Sequence, residues 1–200
     1  KSFNLPVERR PLNEHSISMF SKDFFNIDFF SPNERYRATP DRVALGARLF
    51  NDTIFSLTTK RTCASCHDPA KAFTDGLSAS ETLNGKGKLK RNTPTLLNAA
   101  LQTRFFYDSR TSVLENQLNA VVHNVDEMNG SLKESIRRLR MDSLYVTEFG
   151  KAYPKDKEPL TEYNIANAIS SYVRSLVPLN SRFDRFMRGA ETQLTTSEKR

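Results

Sequence analysis

The stretch from Asn51 to Asn92 carries no apolar periodicity, although helix signals stand on both sides of it. A connection that long is uncommon inside a compact domain unless something within it supplies order. At its centre lies RTCASCHDPAKAFTDG, Arg61 to Gly76, which holds both cysteines of the chain and one of its three histidines. What the chain folds into therefore turns on what Cys63, Cys66 and His67 hold.

Four chemistries use such a spacing. A thioredoxin-like dithiol needs a strand before it and a helix after it, and no stretch of this sequence alternates over strand length. A structural zinc site needs four ligands; Cys63, Cys66 and His67 supply three at most, and no second ligand pair exists. A disulfide across two intervening residues closes a very short loop and stabilises little. The remaining reading is C-x-x-C-H as the attachment signature of c-type haem. Two thiols add across the haem vinyl groups, and the adjacent imidazole becomes an axial iron ligand. Such attachment takes place outside the cytoplasm, so a periplasmic or otherwise exported location is expected. The methionines (Met19, Met128, Met141, Met187) and the other histidines (His15, His123) offer no self-evident sixth ligand.

The rest of the chain reads as helix. Thr39 and Pro40 open an apolar run through Phe50, and Thr93 with Pro94 repeats the device. Ser112 with Glu115, and Ser131 with Glu134, have capping-box spacing. In TEYNIANAISSYVRSLV, residues Ile165, Ala168, Ile169, Tyr172, Val173 and Leu176 share one face of a helix. Residues 1–38, with three prolines and the aromatic patch Met19–Phe30, read as an irregular arm. The expected fold is all-α: a cytochrome c-like haem domain with long loops and an irregular N-terminal arm. A net charge of +7 raises nucleic acid as a partner. The one dense basic spot, KGKLKR from Lys86, lacks interleaved aromatics and reads as a solvated loop, so no nucleic acid is expected. No run approaches the ~18 apolar residues of a membrane span. The opening KSFNLPVERRPL has no signal-peptide core, and its initial Lys implies an upstream piece.

The segments ALGARLFNDTIFS, CASCHDPAKAFTDG, RNTPTLLNAA, RFFYDSRTSVLENQ, NVDEMNG and SYVRSLVPLNSRFDRF follow one another in an order that resembles the bacterial di-haem cytochrome c peroxidase family, which includes the MauG-type enzymes. The resemblance runs from about residue 40 to the end and is to the N-terminal, peroxidatic half. It implies a haem domain over 39–180 and a connector over 181–200 leading to a C-terminal haem domain. It further implies that Cys63 and Cys66 anchor haem c and that His67 is its proximal ligand. Glu127 matches the family's distal glutamate, Gln117 its distal glutamine, and Asn92 an asparagine at an interdomain calcium. The implied reaction is reduction of hydrogen peroxide with electrons from a small cytochrome or cupredoxin. A carboxylate above an open iron can carry the proton that peroxide cleavage requires, best with a pKa raised by burial.

Two departures from the family pattern stand out. Tyr107, in FYDSR, occupies the place of the family's inter-haem tryptophan, and is the expected electron relay. The loop LNGKGKLKRN has no histidine where other members carry one that caps the haem, so an open or water-bound site is expected. Three further readings remain: a MauG-like oxidase acting on a protein substrate, a mono-haem electron carrier ligated by Met128 or His123, and a haem-free module.

Overall fold

The computed structural model of the protein describes residues 37–178, 181–187 and 189–199. The chain divides into two compact units, Ala38–Val177 and Lys1–Arg37 with Pro178–Arg200. The expected irregular arm lies, except for residues 37 and 38, outside the described residues, as do Met19 and His15.

The first unit is built from α1 (Pro40–Phe50), α2 (Leu114–His123), α3 (Leu132–Leu139), α4 (Ser143–Ala152) and α5 (Glu162–Ser175). Among the described residues, extended pairing is limited to three isolated bridges, Asp68–Thr74, Glu81–Lys88 and Phe105–Thr111. The expected all-α class is therefore found. Between α1 and α2 the chain makes only short 3-10 turns, so the long connection is real and extends to residue 113.

The helix starts follow local chemistry. Thr39 Oγ1 accepts from Arg42 N at 3.3 Å with Pro40 in the first turn, and Thr161 Oγ1 accepts from Asn164 N at 3.1 Å. Each satisfies an amide that has no partner within its helix. Two expected starts fail. Residues 92–96 have no regular secondary structure, because Thr93 Oγ1 turns inward to Ser80 Oγ (2.7 Å) instead of capping. The Ser112–Glu115 box does not form either: α2 is preceded by Val113 with no side-chain cap, and Glu115 is buried. At α3, Ser131 Oγ accepts from Glu134 N at 3.4 Å, while the Glu134 carboxylate pairs with Arg137 and Arg138.

Helix α5 is the centre of the unit and packs on α1 and α2. Its apolar face, including Ile165, Ala168, Ile169 and Val173, is buried as its periodicity predicts, but so are Asn164, Asn167, Ser170, Ser171 and Arg174. A buried polar face needs internal partners, and Glu115 provides the main one. Arg174 Nη1 and Nη2 reach the two Glu115 oxygens at 2.7 and 2.9 Å, and Asn167 Nδ2 donates to Oε1 at 3.2 Å. Both charged side chains are 4% exposed. Tyr153 extends the network, its hydroxyl lying 2.8 Å from Asn164 O and 3.0 Å from Asn167 Oδ1.

The apolar core joins Leu45, Leu49, Phe50, Phe55, Leu132, Leu139, Phe149 and Ile165. Each such fully buried side chain contributes about 1.5–3 kcal/mol relative to exposure. Gly46 permits the α1–α5 contact: a Cβ built there would collide with the Ala168 carbonyl and touch Tyr172 Cβ at 3.0 Å. In the second unit, α6 (Arg182–Met187) is tied to the following turn by Arg182 Nη1 and Nη2 to Glu198 at 3.0 and 2.8 Å.

Two stability outcomes follow from these contacts. Gly46→Ala must push α1 from α5 and should lose about 1–3 kcal/mol in urea unfolding. Arg174→Ala removes the buried cation that pairs with Glu115, leaving only Asn167 on its carboxyl group, and should cost about 3–5 kcal/mol, well above the loss from removing an exposed pair such as Arg140–Glu158.

Candidate functional site

Thr62 and Ser65 close a reciprocal cap, with Thr62 Oγ1 accepting from Ser65 N at 3.1 Å and Ser65 Oγ accepting from Thr62 N at 2.9 Å. This tightens Cys63–Ser65 into a 3-10 turn, and the amides of Cys66 and His67 both donate to Cys63 O, at 3.2 and 2.9 Å. Both cysteines are free thiols and half-buried. Burial pushes the Cys63 thiol up to about 12. Burial raises Cys66 too; Arg61 opposes it, while Asp75 and Glu127 add to it.

The next turns orient His67. Asp68 Oδ1 accepts from Ala70 N at 2.9 Å, and Asp68 O accepts from Phe73 N at 2.8 Å. Ala72 and Phe73 are both left-handed (φ 54° and 58°), a conformation costing about 1 kcal/mol or more at a residue with a side chain. The return is position. The Phe73 ring is buried edge-on to Phe50 at 6.4 Å, and its carbonyl accepts from His67 Nδ1 at 3.0 Å. A carbonyl can only accept, so Nδ1 carries the proton and Nε2 keeps the lone pair that binds a metal. Burial lowers the His67 pKa, against the raising effect of the Phe73 and Pro94 carbonyls and Asp75. That direction favours the neutral, ligating imidazole.

Behind this loop, Asp75 is buried and accepts from Leu77 N at 3.0 Å and Thr93 Oγ1 at 3.4 Å. Burial raises its pKa, but the hydrogen bonds from Ser80, Leu77 and Thr93 outweigh that and hold the carboxyl below its ordinary value.

Glu127 sits in the turn after α2, where Asn124 O accepts from the amides of Glu127, Met128 and Asn129. It is half-buried, and burial raises its carboxyl pKa; Arg110 and Arg61 pull it down, and Asp126 pushes it further up. Arg61, two residues before Cys63, donates from Nη1 to Glu127 O at 3.3 Å, which sets the Glu127 backbone beside the segment that enters the C-x-x-C-H. Gln117 is half-buried on α2. Tyr107 and Asn92 are exposed, Tyr107 at 83% with the Arg91 guanidinium 4.4 Å above its ring. Met128 belongs to the hydrophobic core, while His123 is exposed with Nδ1 on Asn119 O at 2.9 Å.

The donor set suits haem better than a bare metal ion. Among the described residues no three His, Cys, Asp or Glu side chains converge as a metal site. Two free thiols beside a histidine of defined tautomer are what thioether attachment and axial ligation require. Sequence reasoning did not identify Arg61, Arg110, the Phe73 carbonyl or the Asp75–Ser80–Thr93 cluster. Asp75 in TDG carried a turn signal; Arg61 carried none.

Comparison with known proteins places the chain in a family. The family model for di-haem cytochrome c peroxidase matches residues 40–192. The methylamine utilization protein MauG of Methylorubrum extorquens is 35% identical over 162 residues, covering 81% of this chain and 45% of that protein. Cytochrome c551 peroxidase of Pseudomonas aeruginosa is 31% identical, covering 78% of this chain and 45% of its own. The crystal structure of a MauG-like protein associated with microbial copper homeostasis superposes with a TM-score of 0.75 at 31% identity, over 82% of this chain and 48% of that one. The chain thus spans about half the length of the curated relatives it matches. On the matched span, the helical architecture and the C-x-x-C-H, the chain belongs to the di-haem cytochrome c peroxidase family.

Proposed function

We propose that this chain is the peroxidatic haem domain of an enzyme that reduces hydrogen peroxide to water with electrons from a small redox protein. The observation that carries the reading is Glu127: a half-buried carboxyl, its pKa raised by burial, held near the C-x-x-C-H by a turn anchored to the end of α2. Haem held by Cys63, Cys66 and His67 supplies an iron that binds peroxide and passes electrons. The chain's own residues supply the proton chemistry. Glu127, as carboxylate, accepts a proton from one peroxide oxygen and returns it to the other, so that O–O cleavage releases water. Gln117 orients peroxide or water by hydrogen bonds. Burial keeps His67 neutral, and the Phe73 carbonyl holds it in one tautomer. The overall reaction takes two electrons and two protons for each peroxide and releases two waters.

The exposed Tyr107, with Arg91 over its ring, is proposed as the electron relay toward a C-terminal haem domain. The exposed Asn92 is proposed as one ligand of a calcium whose other protein ligands come from a C-terminal haem domain. Covalent haem implies an exported, periplasmic protein, and no helix among the described residues is long and apolar enough to cross a membrane. Against the electron-carrier reading, Met128 is committed to the hydrophobic core at 3% exposure and His123 is exposed with Nδ1 on Asn119 O.

Coexpressed with haem-attachment machinery, the chain should gain the mass of one haem, and Cys63→Ala with Cys66→Ala should not. A wild-type chain that gains none under those conditions removes the premise. Glu127→Gln should leave the haem spectrum nearly intact and slow the peroxide reaction by about 10²-fold or more; an unchanged rate excludes Glu127. The pH dependence has a defined sign. The carboxylate is the working form, so the rate falls as pH drops through the Glu127 pKa, and burial puts that limb above the ordinary 4.5. Stopped-flow rates across pH should show the limb in the wild type and lose it in Glu127→Gln.

A further inference from the structure

Three successive carbonyls, those of Asp126, Glu127 and Met128, are each held by a donor from the segments flanking the C-x-x-C-H. Leu83 N reaches Asp126 O at 2.7 Å, Arg61 Nη1 reaches Glu127 O at 3.3 Å, and Leu57 N reaches Met128 O at 3.0 Å. Two of these donors are main-chain amides that any residue but proline supplies. The third is a side chain, and it does more than hold Glu127. Arg61 Nη1 also donates to Glu81 O at 3.2 Å and Nη2 to Thr82 O at 3.0 Å. One guanidinium thus joins the segment entering Cys63, the turn at Glu81–Thr82 and the Glu127 backbone. A planar fork of donors can serve three carbonyls in this way, whereas the compact ammonium of a lysine cannot.

The charge of Arg61 is also distinctive. Its hydrogen-bond partners are neutral carbonyls, and among the described residues it makes no ion pair. The groups facing the Glu127 carboxyl are Arg61, Arg110, Asp126, the Asn124 side chain and the Cys66 thiol. Arg110 comes from the 105–111 loop, where it stacks 3.4 Å above the Phe106 ring and is held by both Asp108 oxygens at 2.9 Å. Both guanidiniums pull the Glu127 carboxyl down, Arg110 more strongly than Arg61, but of the two only Arg61 also hydrogen-bonds the Glu127 backbone, at 3.3 Å.

We propose that Arg61 is the positioning residue for Glu127: its fork ties the Glu127 backbone to the haem-attachment segment and to the Glu81–Thr82 turn, and sets a second guanidinium beside that of Arg110 at the Glu127 carboxyl. This rests on Glu127 being the proton carrier, and the variants Arg61→Gln and Arg61→Lys, each made alone and over Glu127→Gln, separate the two claims. In the chain without haem, the Glu127 carboxyl titration followed by carbon NMR should move to higher pH in Arg61→Gln and stay in place in Arg61→Lys. Amide exchange at Leu57 and Leu83 should quicken in both. In the haem-loaded chain, Arg61→Gln should slow the peroxide reaction by up to about 10²-fold, the scale of a displaced reacting group, and shift its acid limb upward. Arg61→Lys should slow it with the limb unmoved, and neither should slow Glu127→Gln further. An unmoved titration in Arg61→Gln, or equal slowing over Glu127→Gln, overturns the inference. Should Arg61→Gln not fold, Arg61→Lys decides: unchanged amide exchange overturns it. If Glu127→Gln alone leaves the rate untouched, the functional reading fails instead, while the titration and exchange still test the clamp.

Discussion

Between Phe50 at the end of α1 and Leu114 at the start of α2, the backbone has no regular ladder in which to bury its polar groups. Every amide or carbonyl that leaves water there needs a partner of its own. The chain meets this with side chains that turn back on the backbone. Thr62 with Ser65, Asp68, Asp75 and Asn84 each satisfy amides two or three residues along, and Arg61 collects carbonyls from two distant segments. These partnerships place the candidate ligand and the candidate acid-base group. The Phe73 carbonyl meets His67 because Asp68 closes the loop between them, and Glu127 meets the C-x-x-C-H because its neighbours' carbonyls are spoken for.

That loop rests on a helical base with little freedom to shift. Gly46 lets α1 lie against the Ala168 carbonyl of α5, and Phe50, one helical turn on, carries Phe73, His67 and Tyr172 around its ring at 5.2–6.4 Å. On the other side of α5, the Glu115–Arg174 pair fixes α2, the helix that presents Gln117 and leads into the Glu127 turn. A buried ion pair adds little net stability compared with an apolar pair of the same shape, but it is costly to break, so it defines the arrangement. The same helix α2 thus joins the structural network and the proposed chemistry, with Glu115 turned to one and Gln117 to the other.

The electrostatics of the two carboxyl groups near the C-x-x-C-H loop divide. Asp75 has its charge stabilised by hydrogen bonds, while Glu127 has its charge disfavoured by burial and only partly restored by Arg110 and Arg61. Two carboxyl groups near one cofactor loop are pushed in opposite directions by their surroundings. Separating pKa values in this way is how a fold assigns one group to structure and another to proton transfer.

The helical class, the caps at Thr39 and Ser131 and the apolar face of α5 were legible in the sequence, as was the C-x-x-C-H spacing on which the proposed haem roles of Cys63, Cys66 and His67 rest. Each depends on periodicity, on one residue's hydrogen bond to a near neighbour, or on ligand spacing. Thr93 and Glu115 misled because a hydroxyl or carboxylate that can cap locally can also bond across the fold; burial decided in favour of Asp75–Ser80 and Arg174. The roles of Arg61 and of the Phe73 carbonyl left no mark on the sequence. A carbonyl has no residue identity, and an arginine two positions before a cysteine looks like any surface cation. The sequence by itself determined the helical class and the spacing of the candidate haem-binding groups, while Glu127 came into view only through the family resemblance. Only the tertiary structure decided which backbone oxygens would orient them, because that depends on contacts between segments as far apart as Arg61 and Glu127.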